Sequence, residues 1–328
     1  MTPASRWPAS PCAWTATTCW SRPEAFAAEA TRLHILMEPE LAATPRRSSA
    51  LRLPDFIAVG PPRTGTTWLY RALSGHVGLA RDTKETDFFS DHYDRGLEWY
   101  AELFAGCDPK LPAGEISPNY FAAAEAPERI ARHIPGCRII CTLRDPVERL
   151  YSFYRLMRHN GWTRVTFEQL TYSELPATQA NRYAHHLARW RERVGQENVL
   201  VALYDDLEAD PQRFLDSICE FIGIPAISLA GSPLLNKRVN SVTHGPRVAI
   251  LAEQAWRLRQ WLQARGARTA ITVLRKAGLW RFAFRGGGEF GPLDPALERR
   301  LRKRLRPEIE ALEAMLGRDL SAWRTPVR

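Results

Sequence analysis

A chain of 328 residues, 45% of them hydrophobic, has enough apolar material for a sizeable core, which excludes a disordered protein but leaves one or two domains open. The formal charge of +9 implies an acidic partner (a phosphorylated ligand, nucleic acid or an anionic membrane) or a solvated basic face. No run of about 18 apolar residues exists to span a membrane, and six scattered cysteines without zinc spacing read as reduced thiols of a cytoplasmic protein.

The first 36 residues lack the basic start and continuous apolar core of a signal peptide. Residues 1–50 are read as disordered or as an over-extended start, with Met37 an alternative first residue, and 51–328 as one domain with a helical C-terminal part. From Asp55 the pattern sharpens. The run 55-DFIAVG-60 followed by TTWLYRAL predicts a strand, a loop and a helix. A second strand is expected at 138-RIICTL-143 and a helix at 146-PVERLYSFYRLMRHNG-161, with Pro146 in its first turn, Glu148 at its positive end and Gly161 at its stop. An amphipathic helix over 181–195 leads into a third buried strand, 198-NVLVALY-204, then a turn and helix over 205–225. Residues 294–323 read as helical except at Pro307, with Asp294 and Pro295 as cap and first turn. Strands separated by helices imply a parallel sheet covered on both faces, an α/β three-layer fold of P-loop-like type.

The loop 60-GPPRTGTT-67 is built for an anion. A turn from a parallel strand into a helix presents unpaired N–H groups at the positive end of the helix dipole. Gly60 and Gly65 permit a tight backbone, Arg63 adds a cation, and Thr66 and Thr67 add hydroxyls. A nucleotide triphosphatase loop, GxxxxGK[ST], would carry lysine where this chain has Thr66. A P-loop phosphotransferase is therefore the weaker reading. A nucleic-acid module is weaker still, because 298-ERRLRKRLR-306 has acidic breaks and apolar residues at helical spacing; no specific nucleic-acid partner is expected.

With PxxGTTW after a strand, and 143-LRDPVERLYSFYR-155 placing Arg144 at a strand end and Ser152 eight residues later in a helix, the chain resembles the sulfotransferases that use 3′-phosphoadenosine-5′-phosphosulfate (PAPS). The segments 84-KETDFFSDHY-93, 96-GLEWYAELF-104, 115-EISPNYF-121, 181-NRYAHHLARW-190 and 205-DDLEADP-211 are similar to the branch containing heparan-type and many bacterial enzymes.

The resemblance implies that Pro62, Arg63, Thr64, Gly65, Thr66 and Thr67 hold the 5′-phosphosulfate, and that Arg144 and Ser152 hold the 3′-phosphate. It implies Glu85 as the base, with Lys84 at the sulfonate or tuning that carboxylate, and no metal. Taken alone, Lys84–Glu85 reads as a solvated pair, Arg144–Asp145 as a structural salt bridge, and Trp68 equally as an adenine platform or a packing residue. Tyr183 and the basic pair Lys237–Arg238, with Arg247 beyond, are expected to close over the cofactor. His76 and His92 are second-choice bases, and Ser117 and Asn119 are candidate acceptor contacts. Ile116 stands where the heparan-type pattern has a lysine, which leaves the acceptor open between a small molecule and a glycan. The segment 256–281, rich in Trp and Arg, fits an acceptor channel, a homodimer interface, a membrane-surface contact or plain packing.

Overall fold

Three fully buried residues, Phe56–Ala58, form the central strand β1 of the computed structural model, which describes residues 51–173, 175–235, 242–246, 249–264, 273–274 and 286–326. Around it β2 (Gly78–Leu79), β3 (Ala113–Ile116), β4 (Arg138–Leu143) and β5 (Val199–Leu203) complete a sheet in the order β2-β3-β1-β4-β5. Every pairing in it is parallel; Ile57 aligns with Glu115 on one side and Ile139 on the other.

Side chains alternate across the strands, so Phe56, Ala58 and Ile140 enter one core while Ile57, Val59, Ile139 and Cys141 enter another. Helix α1 (Thr66–Leu73) packs on the first face through Trp68, Leu69 and Leu73. On the opposite face, α2 (Gly96–Glu102) contributes Tyr100 and α3 (Ala126–His133) contributes Ile130. Helix α4 (Pro146–His159) starts a third apolar cluster with Val147, Leu150, Phe153 and Met157, which meet Phe167 and Leu170 of α5 (Phe167–Thr171). After the single turn α6 (Pro176–Gln179), α7 (Tyr183–Val194) sends Leu187 and Trp190 into the second core. Beyond β5, α8 (Tyr204–Ala209) and α9 (Pro211–Ile222) return to the first face with Leu207, Phe214 and Ile218. Next, β6 (His244–Pro246) pairs antiparallel with β7 (Gly286–Glu289), helix α10 (Ala249–Ala264) lying between them in sequence, and α11 (Pro295–Leu316) follows. Among the described residues no helix is long and apolar enough to cross a membrane.

Two expectations about elements need correction. Helix α11 runs through Pro307 without a break. A proline removes one N–H and crowds the preceding turn, but Leu301 and Leu305 before it and Ile309 and Leu312 after it hold both halves against the core. The strands β2 and β3 were not expected from the sequence: β2 has two residues, and β3 reads Ala-Gly-Glu-Ile with a carboxylate at its centre. The described cysteines, Cys107, Cys137, Cys141 and Cys219, are free thiols.

Candidate active site

The loops leaving β1 and β4 emerge side by side at the C-terminal edge of the sheet, where open parallel sheets receive ligands. Gly60 is required there by proximity more than by its own dihedrals. A Cβ at this position would run into the backbone and hydroxyl of Thr142 on β4. The turn itself is made by two residues in left-handed conformation, Arg63 (φ 79°) and Gly65 (φ 96°), the second of which precedes α1. A non-glycine residue with positive φ is uncommon, and here it aims a cation along the loop.

Each loop residue then has an assignable position. The Pro62 carbonyl accepts a long bond from Nη1 of Arg149, 3.4 Å away. Thr64 is fully buried, and its hydroxyl donates to the Pro61 carbonyl (2.7 Å) and lies 2.7 Å from Thr142 Oγ1. That corrects part of the expectation for Thr64: its side chain fastens the loop to β4, leaving only its backbone to face a ligand. Thr66 and Thr67 open α1, so their N–H groups lack intrahelical acceptors.

Arg63 Nε donates to Ser152 Oγ at 2.9 Å, across 89 positions of sequence. Burial, followed by the charges of Arg144 and Arg155, lowers the Arg63 pKa to about 10. Arg144 leaves β4, lies 4.4 Å over the Tyr204 ring, and donates from Nη2 to Glu148 at 2.7 Å. The anticipated Arg144–Asp145 bridge does not form. Asp145 instead caps α4 through Val147 N (2.9 Å) and Glu148 N (3.2 Å) and receives Arg302 Nη1 at 2.7 Å.

Lys84 arrives from a separate segment. Its Nζ lies 3.4 Å from Thr66 Oγ1 and 2.6 Å from Glu85 Oε1. The cation missing after Gly65 is therefore supplied from residue 84, and with it an exposed carboxylate at the loop. The segment is anchored by Glu115, which is fully buried on β3 and accepts from Thr86 Oγ1, Ser117 Oγ, Tyr100 OH (2.5 Å) and Tyr120 OH (2.9 Å). Burial raises the Glu115 pKa, and these four hydroxyl donors oppose the rise. Ser117 is thus a buried bracing residue, not an acceptor contact. Asn119 donates to Asp87 Oδ1 at 3.2 Å. Asp87 has its carboxyl pushed up to about 7 by burial and by the neighbouring Glu85, Asp91 and Glu115.

Two other expectations fail for steric reasons. Tyr183 is 1% exposed, wedged against Phe121 and Trp323, and donates its hydroxyl to the Arg144 carbonyl at 2.9 Å. It braces the end of β4 from within and cannot close over a bound molecule. Trp68 is 5% exposed, edge-on to Phe214 at 5.8 Å, with Nε1 donating to the Leu234 carbonyl at 3.0 Å, so packing accounts for it and adenine stacking does not. Lys237, Arg238 and Arg247 lie outside the described residues. His76 and His92 are exposed; His92 meets the edge of Trp99. Ile116 is buried in the apolar core beside Trp68 and Leu69. In the 256–281 segment Trp256 packs edge-on against Trp162 at 5.0 Å, and Trp261 is half exposed.

Sequence reasoning missed Arg149, Arg155, Thr142 and Asp87. Arg149 is fully buried and grips Asn181 Oδ1 (2.9 Å from Nε, 2.6 Å from Nη2) under the loop. Its position three residues before Ser152, on the same helical face, was the available signal.

A P-loop-like sheet edge with cations from the β1 loop, the β4 end and residue 84 defines a group-transfer site for an anionic donor. The family model for the sulfotransferase domain matches residues 53–244, and the chain belongs to that family. The human bifunctional heparan sulfate N-deacetylase/N-sulfotransferase 3 is 31% identical over 201 residues, 53% of this chain and 22% of that protein. Human heparan sulfate glucosamine 3-O-sulfotransferase 3B1 is 31% identical over 193 residues, 55% of this chain and 48% of that protein. The chain thus spans between about a fifth and a half of the length of these curated relatives. A solved sulfotransferase from Alicyclobacillus acidocaldarius shares the fold, with a TM-score of 0.59 at 21% identity over 83% of this chain and 99% of that one.

Proposed function

We propose that the protein transfers the sulfonate group of PAPS to a hydroxyl of a glycan or small-molecule acceptor. The observation that carries this reading is the Arg63–Ser152 bond, which joins two motifs far apart in sequence into one cationic corner with Arg144. The donor set fits the group. Arg144 and Arg155 each have a buried Nε without an acceptor, and arginine forks match phosphate oxygens. When bound, PAPS supplies an activated sulfonate and a phosphate leaving group.

The chain's own residues do the rest. The N–H groups of residues 64–67 and Arg63 bind the 5′ side, and Arg144 and Ser152 bind the 3′-phosphate. Lys84, between Thr66 and Glu85, holds negative charge near the loop. Glu85 takes the acceptor proton. Heparan sulfate is the glycan that both relatives' names give; the N-sulfotransferase name points to a nitrogen acceptor and the 3-O-sulfotransferase name to a hydroxyl, and the hydroxyl is the acceptor proposed for this chain. The alternative, phosphotransfer, needs carboxylates for a metal after β5. Asp206 there is bound by Arg318, and Asp205 accepts from Trp323 Nε1 at 3.0 Å.

Calorimetric titration with adenosine 3′,5′-bisphosphate and with ATP tests the reading. Tighter binding of the bisphosphate, lost in Arg144→Ala, is the expected result. Glu85→Gln is expected to keep that binding and lose about 10²–10⁴-fold in sulfonate transfer. ATP binding as tightly, unaffected by Arg144→Ala, would overturn it.

A further inference from the structure

We propose that Arg155 is a third phosphate-binding cation of this corner and sets its selectivity for a nucleotide carrying a 3′-phosphate monoester. The inference rests on the nucleotide reading above and assigns a residue to which neither motif gives a role. Arg155 lies on α4 three positions after Ser152, so both side chains leave the same face of the helix. Ser152 is the residue that Arg63 reaches. Arg63, Arg144 and Arg155 come from three different elements, and the charges of the last two both act on the first.

Their counter-charges are unequal. Arg144 is paired with Glu148 at 2.7 Å. Among the described residues Arg155 has no carboxylate partner; its guanidinium carbon lies 5.4 Å from the Tyr151 ring centre, and its Nε is buried without an acceptor. The next arginine on the helix, Arg158, donates instead to the Arg164 carbonyl at 3.2 Å. Gathering like charges and burying a donor unpaired both cost free energy unless an anion completes the set. A phosphate monoester, with a charge near −2 at neutral pH and three acceptor oxygens, supplies what the corner lacks. Tyr151 faces the Arg155 guanidinium from one side and is itself fixed by donating its hydroxyl to the Gly291 carbonyl at 2.7 Å. A nucleotide with only a 5′ substituent would leave Arg155 without its anion, so the residue discriminates against it.

The test is calorimetric titration of the full chain with adenosine 3′,5′-bisphosphate and adenosine 5′-monophosphate, comparing wild type, Arg155→Gln and Arg155→Lys. Arg155→Gln is expected to weaken the bisphosphate by about ten- to a hundredfold, the worth of one charge-assisted bond, with the monophosphate changed less than about threefold. Arg155→Lys keeps the charge and loses the fork, and is expected to sit between the two on the bisphosphate alone. It also gives a reading should the glutamine variant fold poorly. Equal losses on both ligands, or none on either, would overturn the role of Arg155 while leaving Arg144 and Ser152 in place. A wild type that does not prefer the bisphosphate would remove the nucleotide reading itself, and this role with it.

Discussion

Asp87 is the residue whose surroundings depart furthest from what its neighbours in sequence suggest. Its backbone is left-handed (φ 49°), its carbonyl accepts from Asp91 N at 2.8 Å, and its carboxyl faces Glu85, Asp91 and Glu115 with Asn119 as a side-chain donor. A carboxyl raised from 3.8 to about 7 binds its proton more tightly in the folded chain than in the unfolded one. Its contribution to stability is therefore full below about pH 4, is lost as pH rises through 7, and is level above that. Asparagine tolerates left-handed backbone and keeps the acceptor for Asn119. Asp87→Asn is accordingly expected to match wild type in melting temperature near pH 4, to exceed it increasingly up to about pH 7 and to hold that margin beyond. His186, whose pKa burial lowers to about 4, imposes an opposite slope on both chains and cancels in the difference. Thermal melts across that range check it; a constant difference would place Asp87 in ordinary solvent. None of this was legible in KETDFF. Lys84 and Glu85 stand out only through the family resemblance, since taken alone they read as a solvated pair. Asp87 becomes unusual first through burial, then through Glu85 and Asp91, with Glu115 added by a strand that does not look like one.

At the scale of elements, legibility followed length and apolar continuity. The expected spans of α1 and β4 agree with Thr66–Leu73 and Arg138–Leu143, since both have a clear period and a clear stop. Strands β2 and β3 gave no signal because parallel pairing, of β3 to β1 and of β2 to β3, makes them strands, not composition. The loop between β1 and α1 was read for the right glycines with an incomplete reason. Gly65 needs its positive φ, whereas Gly60 needs the absence of a Cβ beside Thr142. Gly60→Ala must therefore push β1 and β4 apart where the loops that follow them begin. The expected cost is about 1–3 kcal/mol in denaturant unfolding, typical of overpacking, together with a loss of bisphosphate affinity larger than that of a solvent-facing loop variant. Unchanged binding in a destabilised chain would show that the loop can shift with β1 and keep its geometry.

At the scale of the molecule, the C-terminal helix is bound into the site by one buried arginine. Arg302 of α11 is 2% exposed, and its Nε donates to Glu298 at 2.8 Å. From Nη1 it reaches Asp145 at 2.7 Å and the Trp323 carbonyl at 2.5 Å. Asp145 caps α4 and follows Arg144 directly, so α11 holds the turn that orients Arg144 from 157 positions away. Burial raises the Asp145 pKa, and Arg302 is the largest influence opposing the rise. Removing only the arginine leaves a buried carboxylate without its partner, which typically costs about 3–5 kcal/mol, whereas removing both charges is often nearly neutral. Arg302→Met is expected to show the large loss in guanidinium unfolding and a weakened bisphosphate titration. Asp145→Asn combined with Arg302→Met should recover much of the stability, because asparagine still caps α4. Its nucleotide affinity should recover along with the stability if Arg302 acts on the site through the Asp145 turn. Stability restored without affinity would mean that α11 positions Arg144 by a route other than the ion pair, with Glu298 and the Trp323 carbonyl as the remaining contacts to vary.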